Sequence, residues 1–274
     1  MRIFVPDGLA LDLALSRTTS LGIGAHPDDL EIMASSPIVE SYRNAKKWFC
    51  AVVVTDGSGS PRSGKFKRIS NEQMRMIRRE EQKRAAALGK YGAVVFLAHA
   101  SVDVKKQNRV LMDELTTILN ITSPDVVYTH NLADKHPTHV AVAVRVLEAI
   151  RTLPPKKRPT KVLGCEVWRS LDWLTEKDRV VLNDSKNEEL QRSLLRVFRS
   201  QIAGGKWYDL AALGRRHANA TFRDAHGVDQ ARGETFAMDL TPLVKNPKMA
   251  IRAFVKDKID RFEKEVNLLF MNLD

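Results

Sequence analysis

Four ionisable side chains stand close together near the N-terminus, in the segment "LGIGAHPDDLEIM" at residues 21–33. They follow a short apolar run and are His26, Asp28, Asp29 and Glu31. Adjacent carboxylates repel each other, whereas a divalent cation removes the repulsion, and imidazole and carboxylate are both ordinary zinc ligands. The alternative is an acidic loop in which an aspartate caps the next helix and Pro27 marks the turn. This segment alone does not separate the two interpretations.

A second cluster, in "HNLADKHPTHVAVAVRVLEAI" at residues 130–150, contains His130, Asp134, His136 and His139. If a helix begins near Pro137, His136 and His139 face the same cavity from its first turn. One histidine of this cluster, together with His26 and Asp29, supplies two imidazoles and one carboxylate. Three protein ligands with an open fourth position are typical of catalytic zinc. Two clusters that each begin with His-Pro favour a metal site over capping or packed histidines.

Apolar runs alternate with helical patterns from residue 20 to about 200. Strands are predicted at residues 19–25, 48–57, 93–98, 125–130 and 161–168. Helices are predicted at residues 71–89, with Asn71 as N-cap and Gly89 as stop, and at 108–121, 138–152 and 249–271. This alternation predicts an α/β fold with a mostly parallel sheet flanked by helices and a helical C-terminal portion. Both clusters and Asp56 then lie beyond the carboxyl ends of strands, where such folds place their sites.

The whole-chain numbers describe an ordinary globular protein. The 274 residues are 43% hydrophobic and 28% charged, and we expect one domain over residues 1–274. Cys50 and Cys165 lie in apolar runs and are expected to be buried thiols without a disulfide. No apolar run reaches the roughly 18–20 residues of a membrane span. The N-terminus does not resemble a signal peptide, so the expected location is cytoplasmic.

The net charge of +11 comes from 44 basic and 33 acidic residues. Basic residues concentrate at 61–68 and 154–161, in segments that are either solvated loops or attractive to an anionic partner. No aromatic residues are interleaved in the manner of a single-strand nucleic-acid platform, so nucleic acid is not the expected partner. The sequence leaves homo-oligomerisation open.

The two His-Pro motifs resemble those of a known enzyme family. "AHPDDLE" (25–31) followed by "HPTHVA" (136–141) is similar to the PIG-L/LmbE-like zinc-dependent N-deacetylases, which act on N-acetylglucosamine-containing conjugates and have a Rossmann-like fold. The resemblance extends through "VVVTDGSGS" (52–60), "IRREEQKRAAALG" (77–89), "CEVW" (165–168), "SQ" (200–201) and "KWYDLA…RR" (206–216). A Rossmann-like sheet and a small amino-sugar or glycoconjugate substrate, neutral or anionic, are therefore expected.

The resemblance also implies a role for each site residue. The implied zinc ligands are His26, Asp29 and His139. Asp28 is implied as the general base, and His136 as the residue that stabilises the tetrahedral intermediate or protonates the leaving amine. Arg78 resembles a family substrate-binding arginine, with Arg79 as the alternative if the register differs by one. Asp56 falls where the family lines its pocket.

Elementary chemistry agrees with these roles. Zinc polarises an amide carbonyl and lowers the pKa of its bound water. Asp28, beside a ligand, can accept that water's proton, and a cationic His136 suits a developing oxyanion. Glu31 is either a helix N-terminal charge or a group that orients a metal ligand. Iron, manganese and cobalt accept the same donors, so the sequence does not select the metal.

Two residues depart from the family pattern. Thr138 stands where the family usually has aspartate in His-Pro-Asp-His, and Asp134 is the candidate to replace that carboxylate beside His136. Met33 lies where the family tends to have glycine. The leading hypothesis is a zinc-dependent deacetylase. The alternatives are a metal- or glycan-binding protein with weak or no turnover, and a binder of anionic polymers.

Overall fold

A computed structural model describes residues 1–106 and 108–271 of the chain. The strands in these residues are β1 (Arg2–Phe4), β2 (Ser20–Gly24), β3 (Phe49–Thr55), β4 (Ala93–His99), β5 (Val126–His130), β6 (Lys161–Cys165), β7 (Arg179–Asn183) and β8 (Glu234–Asp239). The α-helices are α1 (Leu11–Ser16), α2 (Asp29–Met33), α3 (Ser35–Ser41), α4 (Asn71–Gly89), α5 (Ser101–Lys105), α6 (Arg109–Thr122), α7 (Pro137–Thr152), α8 (Glu188–Arg196), α9 (Arg199–Ile202), α10 (Tyr208–Thr221), α11 (Thr241–Lys245) and α12 (Ile251–Met271).

The strands form one sheet in the order β1-β4-β3-β2-β5-β6-β8-β7. The five central strands, from β4 to β6, run parallel, while β1, β8 and β7 add antiparallel edges. The predicted fold class, a mostly parallel sheet flanked by helices, is therefore confirmed. The C-terminal portion is less uniformly helical than expected, because β8 inserts between β6 and β7. Strand β7 is short and partly exposed, so it lacks the long apolar run by which the central strands were predicted.

Helices cover both faces of the sheet, so its central strands have no polar face. All seven residues of β3 are buried. One face packs against α6 and α7 through side chains such as Leu115 and Val146, and the other against α3 and α8 through Ile38 and Leu194. Cys50 and Cys165 are buried free thiols, as predicted.

Helix α4 covers the predicted range, Asn71–Gly89, but its N-cap is not the expected residue. Ser70, not Asn71, is the N-cap, and its hydroxyl and the Gln73 side chain form a reciprocal capping box. At the other end Gly89 is still helical, and Lys90 adopts the left-handed conformation. The helix buries Arg78 and Glu81 on its inner face. Charged residues are rarely buried without a partner, so this face makes polar contacts as well as packing contacts.

The strand order places the site. The chain leaves β2 toward β3 on one side, while β5 pairs with β2 on the other, so a crevice opens beyond the carboxyl ends of β2 and β5. The first His-Pro loop follows β2, and the second cluster follows β5. Over residues 1–106 and 108–271, no helix has both the length and the apolar character that crossing a membrane requires.

Candidate active site

The loop after β2 is shaped by a left-handed aspartate. Asp28 has φ 95° and ψ −29°, which is uncommon for a residue with a side chain. This conformation turns the chain so that α2 starts at Asp29, whose Oδ2 accepts the His26 backbone N–H at 2.6 Å. Two hydrogen bonds from Thr55, through its N–H and its hydroxyl, reach the Ala25 carbonyl, each at 2.8 Å. The loop is thus fastened to the end of β3.

Three donor side chains of the two clusters meet above this loop. His26 Nδ1 lies 3.2 Å from His139 Nε2 and 3.2 Å from Asp29 Oδ2, and His139 Nε2 lies 3.4 Å from Asp29 Oδ1. Ligands at about 2.1 Å from a tetrahedral zinc ion are about 3.4 Å from one another. The separations among these donor atoms are of that size, so the three side chains could donate to a single transition-metal ion.

Two more histidines border this triangle and widen the choice of donors. Donor atoms lie close enough to share an ion in two groups, His26 with His136 and His139, and Asp29 with His130 and His139. His130 Nε2, however, already accepts the Ala25 backbone N–H at 2.8 Å, so that lone pair is not free for a metal. His130 instead stacks on His139, with ring centroids 3.9 Å apart, and supports it from below the cleft.

Burial and mutual charge set the protonation of these groups. Burial opposes ionisation of Asp29, but the imidazoles of His139, His130 and His26 hold its pKa well below the usual value. Burial, reinforced by the neighbouring His139 imidazole, lowers the pKa of His130 to about 4. Burial also lowers the pKa of His26, against the pull of Asp29. Against the effect of burial, in contrast, Asp29 and Asp134 raise the pKa of His139. Anionic Asp29 and neutral imidazoles are the forms that bind a metal ion, so binding through His139 would displace its proton.

Asp134 serves His139 rather than the ring of His136. Its Oδ2 faces His139 Nδ1 at 3.6 Å, and its Oδ1 accepts the His136 backbone N–H at 2.9 Å. The His136 ring instead caps α7, with Nδ1 accepting the Thr138 backbone N–H at 3.2 Å. The expected replacement of the missing carboxylate by Asp134 is therefore not what the structure shows. Thr138 is buried, and its hydroxyl has no hydrogen-bond partner among the described residues.

His136 presents its other nitrogen to the cleft. Because Nδ1 accepts a hydrogen bond, the neutral ring carries its proton on Nε2. Burial, reinforced by the neighbouring imidazoles of His139 and His26, lowers the pKa of His136 to about 4. The ring is therefore a neutral hydrogen-bond donor.

Asp28 is a buried carboxylate paired with a buried arginine. Arg78 Nη2 lies 2.9 Å from Asp28 Oδ2, and the same guanidinium donates to the Pro27 carbonyl and the Ser60 hydroxyl. Burial raises the pKa of Asp28 to about 8, although Arg78 opposes the rise and Asp29 adds to it. Arg79, the alternative in the next register, lines a separate cavity of about 270 Å³. Of the two arginines, only Arg78 lines the cleft with Asp28.

Glu31 reaches Asp28 through one intermediate side chain. Glu31 Oε1 accepts hydrogen bonds from Gln82 Nε2 at 2.7 Å and from the Tyr91 hydroxyl at 2.8 Å. Gln82 Oε1 in turn accepts the Asp28 backbone N–H at 3.2 Å. Burial raises the pKa of Glu31 to about 7, against these hydrogen bonds. Its geometry is that of an orienting group and not of a solvated helix N-terminal charge.

Of the donor triangle, His26 and Asp29 line a cleft of about 600 Å³. Asp56 lines it, accepts the Ser58 backbone N–H at 3.0 Å and pairs with Arg75 at 3.0 Å. Helix α10, from the C-terminal half, lines the same cleft through Tyr208. Arg216, on α10, donates at 2.8 Å to the Glu31 carbonyl, near the end of α2.

Sequence reasoning gave no role to three buried residues that support the site, His130, Gln82 and Arg216, although it included His130 in the second cluster. His130 was visible as the last residue of a predicted strand, which would have placed it beside the first loop. Gln82 and Arg216 lie within helical patterns where a polar residue looks solvent-exposed, yet they are 0% and 3% exposed. Only the packing of α4 and α10 onto the loop turns them inward.

Fold and site together define a class: an α/β protein with a histidine–carboxylate donor set, able to hold a metal ion, beside a buried carboxylate at the carboxyl edge of a parallel sheet. The comparisons narrow this class. The family model described as PIG-L, GlcNAc-PI de-N-acetylase, matches residues 21–150. An uncharacterized deacetylase, YaiS of Escherichia coli strain K12, is 31% identical over 169 residues, which cover 59% of this chain and 80% of YaiS. The chain therefore belongs to the PIG-L/LmbE family of deacetylases.

Solved structures share the fold at low identity. The N,N'-diacetylchitobiose deacetylase of Pyrococcus horikoshii is 21% identical with a TM-score of 0.60, covering 80% of this chain and 83% of that one. GalB, the 4-carboxy-2-hydroxymuconate hydratase of Pseudomonas putida KT2440, is 16% identical with a TM-score of 0.64, covering 81% and 96%. Because one neighbour is a hydratase, the fold by itself does not select the reaction.

Proposed function

We propose that this protein is a zinc-dependent hydrolase that removes the acetyl group from an N-acetylated amino sugar of the N-acetylglucosamine type, or from its conjugate. The observation that supports it most is the donor triangle of His26, Asp29 and His139 lying directly beside the buried carboxylate of Asp28. The names of the family model and of the chitobiose deacetylase support the choice of an N-acetylated sugar.

Each of these residues has a part in amide hydrolysis. A metal ion on the triangle would polarise the acetyl carbonyl and make a water molecule more acidic. Asp28 accepts the proton of the attacking water and returns it to the leaving nitrogen, so one carboxylate acts as base and then as acid. His136 donates a hydrogen bond from Nε2 to the developing oxyanion. Because its Nδ1 accepts from Thr138, we assign it to oxyanion stabilisation and not to protonation of the amine.

The surrounding residues keep this set in place. Arg78 fixes the side chain of Asp28, while Glu31 and Gln82 fix its backbone. Asp134 aligns His139. Asp56, held by Arg75, lines the cleft where it can accept hydrogen bonds from sugar hydroxyls. We propose Arg78 and Asp56 as the residues that position the substrate.

Acetate release tests the proposal. The purified protein is incubated with N-acetylglucosamine and its phosphorylated, lipid-linked and oligomeric forms, with and without a chelator. We expect acetate from at least one of them, loss of activity after chelation, and recovery when zinc is restored. A protein that binds zinc and the glycan but releases no acetate would be the binding protein of the alternative hypothesis. Binding that falls steeply with salt and does not depend on His26 would identify a polymer binder.

A further inference from the structure

The cavity that Arg79 lines is separate from the cleft but adjoins it. Its lining comes from α4, from the C-terminal parts of β3 and β4, and from Pro27, and Asp56 is the residue that lines both spaces. Phe96 of β4 and Pro27 provide apolar surface, while α4 provides charged side chains. Its volume is about 270 Å³. A cavity of roughly 150 Å³ already holds a benzene molecule, so this one has room for a small ligand.

The charges around this cavity leave an arginine without a partner. Three arginines and two carboxylates line it, namely Arg2, Arg75, Arg79, Asp56 and Glu72. Both carboxylates contact the same guanidinium, because Arg75 Nη2 lies 3.0 Å from Asp56 Oδ2 and Arg75 Nη1 lies 2.9 Å from Glu72 Oε2. Arg79 forms no ion pair and no side-chain hydrogen bond within residues 1–106 and 108–271. The Met1 amino group, which also borders the cavity, faces Glu114 at 3.7 Å.

Arg75 and Arg79 each bury a hydrogen-bond donor that the described residues do not satisfy. The Nε of both guanidinium groups is buried and has no hydrogen-bond partner there. A buried donor without a partner keeps the full cost of its desolvation. The two arginines are also four residues apart on α4, where like charges repel each other. A ligand that is negatively charged and accepts hydrogen bonds from both would offset both penalties.

We propose that this cavity binds a small oxyanion, a phosphate, sulfate or carboxylate group, between Arg75 and Arg79. The planar guanidinium fork matches two oxygens of such a group, and charge-assisted hydrogen bonds of this kind are the stronger ones. Arg79 is fully available to the anion, whereas Arg75 is shared with Asp56 and Glu72. The site is distinct from the donor triangle, and the inference does not depend on the proposed function.

Asp56 connects this anion site to the cleft. Its Oδ2 is held by Arg75, and its Oδ1 accepts the backbone N–H of Ser58, which lines the cleft. An oxyanion that takes up Arg75 leaves the Asp56 carboxylate with less compensation of its charge. A ligand that contacts Asp56 from the cleft and an anion on Arg75 therefore change each other's affinity by the same factor. The cavity is thus a regulatory site for whatever binds the cleft.

Calorimetry with inorganic phosphate, sulfate and acetate, at constant pH and ionic strength, tests the anion site. We expect Arg79→Gln to weaken binding of at least one of these anions about tenfold or more. Arg84→Gln, which removes the same charge from an exposed position of α4, is the matched control and should bind as the wild type does. Arg79→Lys keeps the charge without the planar fork and should give an intermediate affinity.

Two further measurements separate the cavity from other anion sites. Titrations are repeated after chelation, because an anion bound to a metal ion is lost with the metal, whereas one held by Arg79 remains. In Asp56→Asn, a competitor for Arg75 is removed, so the anion should bind more tightly. Crystals soaked in selenate should show anomalous density between the two guanidinium groups.

The outcomes that would overturn the anion site are equally specific. They are an anion affinity that is the same in Arg79→Gln as in the wild type, one that Arg84→Gln lowers by the same factor, or one that disappears on chelation. Selenate that is absent from the cavity would also overturn it. An unchanged affinity in Asp56→Asn would overturn the connection to the cleft. None of these results bears on acetate release, so the deacetylase proposal stands or falls separately.

Discussion

At the scale of single residues, some of the candidate ligand atoms already take part in hydrogen bonds within the protein. His130 is beside the donor triangle, yet its Nε2 accepts a backbone N–H. His136 Nδ1 is likewise engaged by Thr138, whereas its Nε2 takes part in no hydrogen bond among the described residues. The donor atoms of His26, Asp29 and His139 lie 3.2–3.4 Å from one another, which is why we propose these three as the ligands. Hydrogen bonds therefore argue against His130 Nε2 as a ligand, a distinction that composition alone does not make.

Replacement of Asp28 by asparagine tests the proposed base. Asparagine is isosteric and tolerates a left-handed backbone, so the loop should retain its shape. The amide cannot accept the proton of water, and we expect kcat to fall by about 10²–10⁴-fold. Zinc content, measured by elemental analysis, should stay at the wild-type level. Substantial activity in this variant would show that another group is the base.

His130→Phe tests the buried support of the triangle. The change leaves the Ala25 N–H without its acceptor and should cost about 1–3 kcal/mol of unfolding free energy. Because His130 Nε2 anchors the Ala25 N–H, next to the proposed ligand His26, its loss should also weaken zinc binding about 10–100-fold. Denaturant unfolding and zinc titration measure the two effects. His217→Phe, at a half-exposed histidine of α10, is the control. An unchanged zinc affinity in His130→Phe would remove His130 from the site.

At the scale of elements, the loop after β3 must approach α4 closely. Gly57 has φ 69°, and a Cβ at this position would lie 3.1 Å from Arg78 Cδ and 3.2 Å from Pro27 Cδ. Both the left-handed backbone and the close contact therefore require glycine. The loop and α4 together fix where the Arg78 guanidinium meets Asp28, so a displacement of the loop would also displace the Arg78 side chain.

Gly57→Ala should consequently impair the substrate side of the site. We expect about 1–2 kcal/mol of destabilisation from the backbone. We also expect a lower kcat/KM, because Arg78 must shift from the Asp28 carboxylate. Gly59→Ala is the matched control in the same loop, since nothing lies within 4 Å of a Cβ there. Equal kinetics for the two variants would mean that the position of Arg78 does not depend on this contact.

The elements also show what the sequence can and cannot predict. The central strands, α6, α7 and the two His-Pro loops were predicted because long apolar runs and their carboxyl ends are local patterns. The antiparallel strand β8 was not, because its six residues lie in a region of helical periodicity and pair with distant β6. Lys206 was noted in a motif, but its place over the Trp168 ring depends on the hydrogen bond between Glu81 and Ser200, 119 residues apart. Contacts between residues so far apart in the chain produce no periodic pattern in the sequence.

At the scale of the whole molecule, the donors join strands that are distant in the chain. His26 and Asp29 follow β2, whereas His139 lies 113 residues beyond His26, after β5. A metal ion that binds only the folded chain would therefore stabilise the fold across the central strands. This coupling makes thermal unfolding a measure of the site.

Chelation should accordingly lower the melting temperature. At a free zinc concentration one hundred times its Kd, binding contributes about 2.7 kcal/mol. For a chain of this size, that corresponds to a fall of about 5–10 °C on chelation. Differential scanning calorimetry with and without a chelator measures it, and the His139→Ala variant should show no such difference. A wild-type melting temperature that is the same with and without the chelator would argue against a metal at this position.

The Arg216 contact with α2 has a consequence for how such proteins diversify. All three proposed ligands lie within residues 21–150, while Trp168, Lys206 and Arg216 come from the remainder of the chain. The proposed metal ligands and part of the cleft lining are thus encoded in separate, consecutive stretches of the gene. Exchange of the second stretch between relatives should alter which substituents fit the cleft, provided that the incoming α10 brings an arginine that donates to the Glu31 carbonyl at the end of α2.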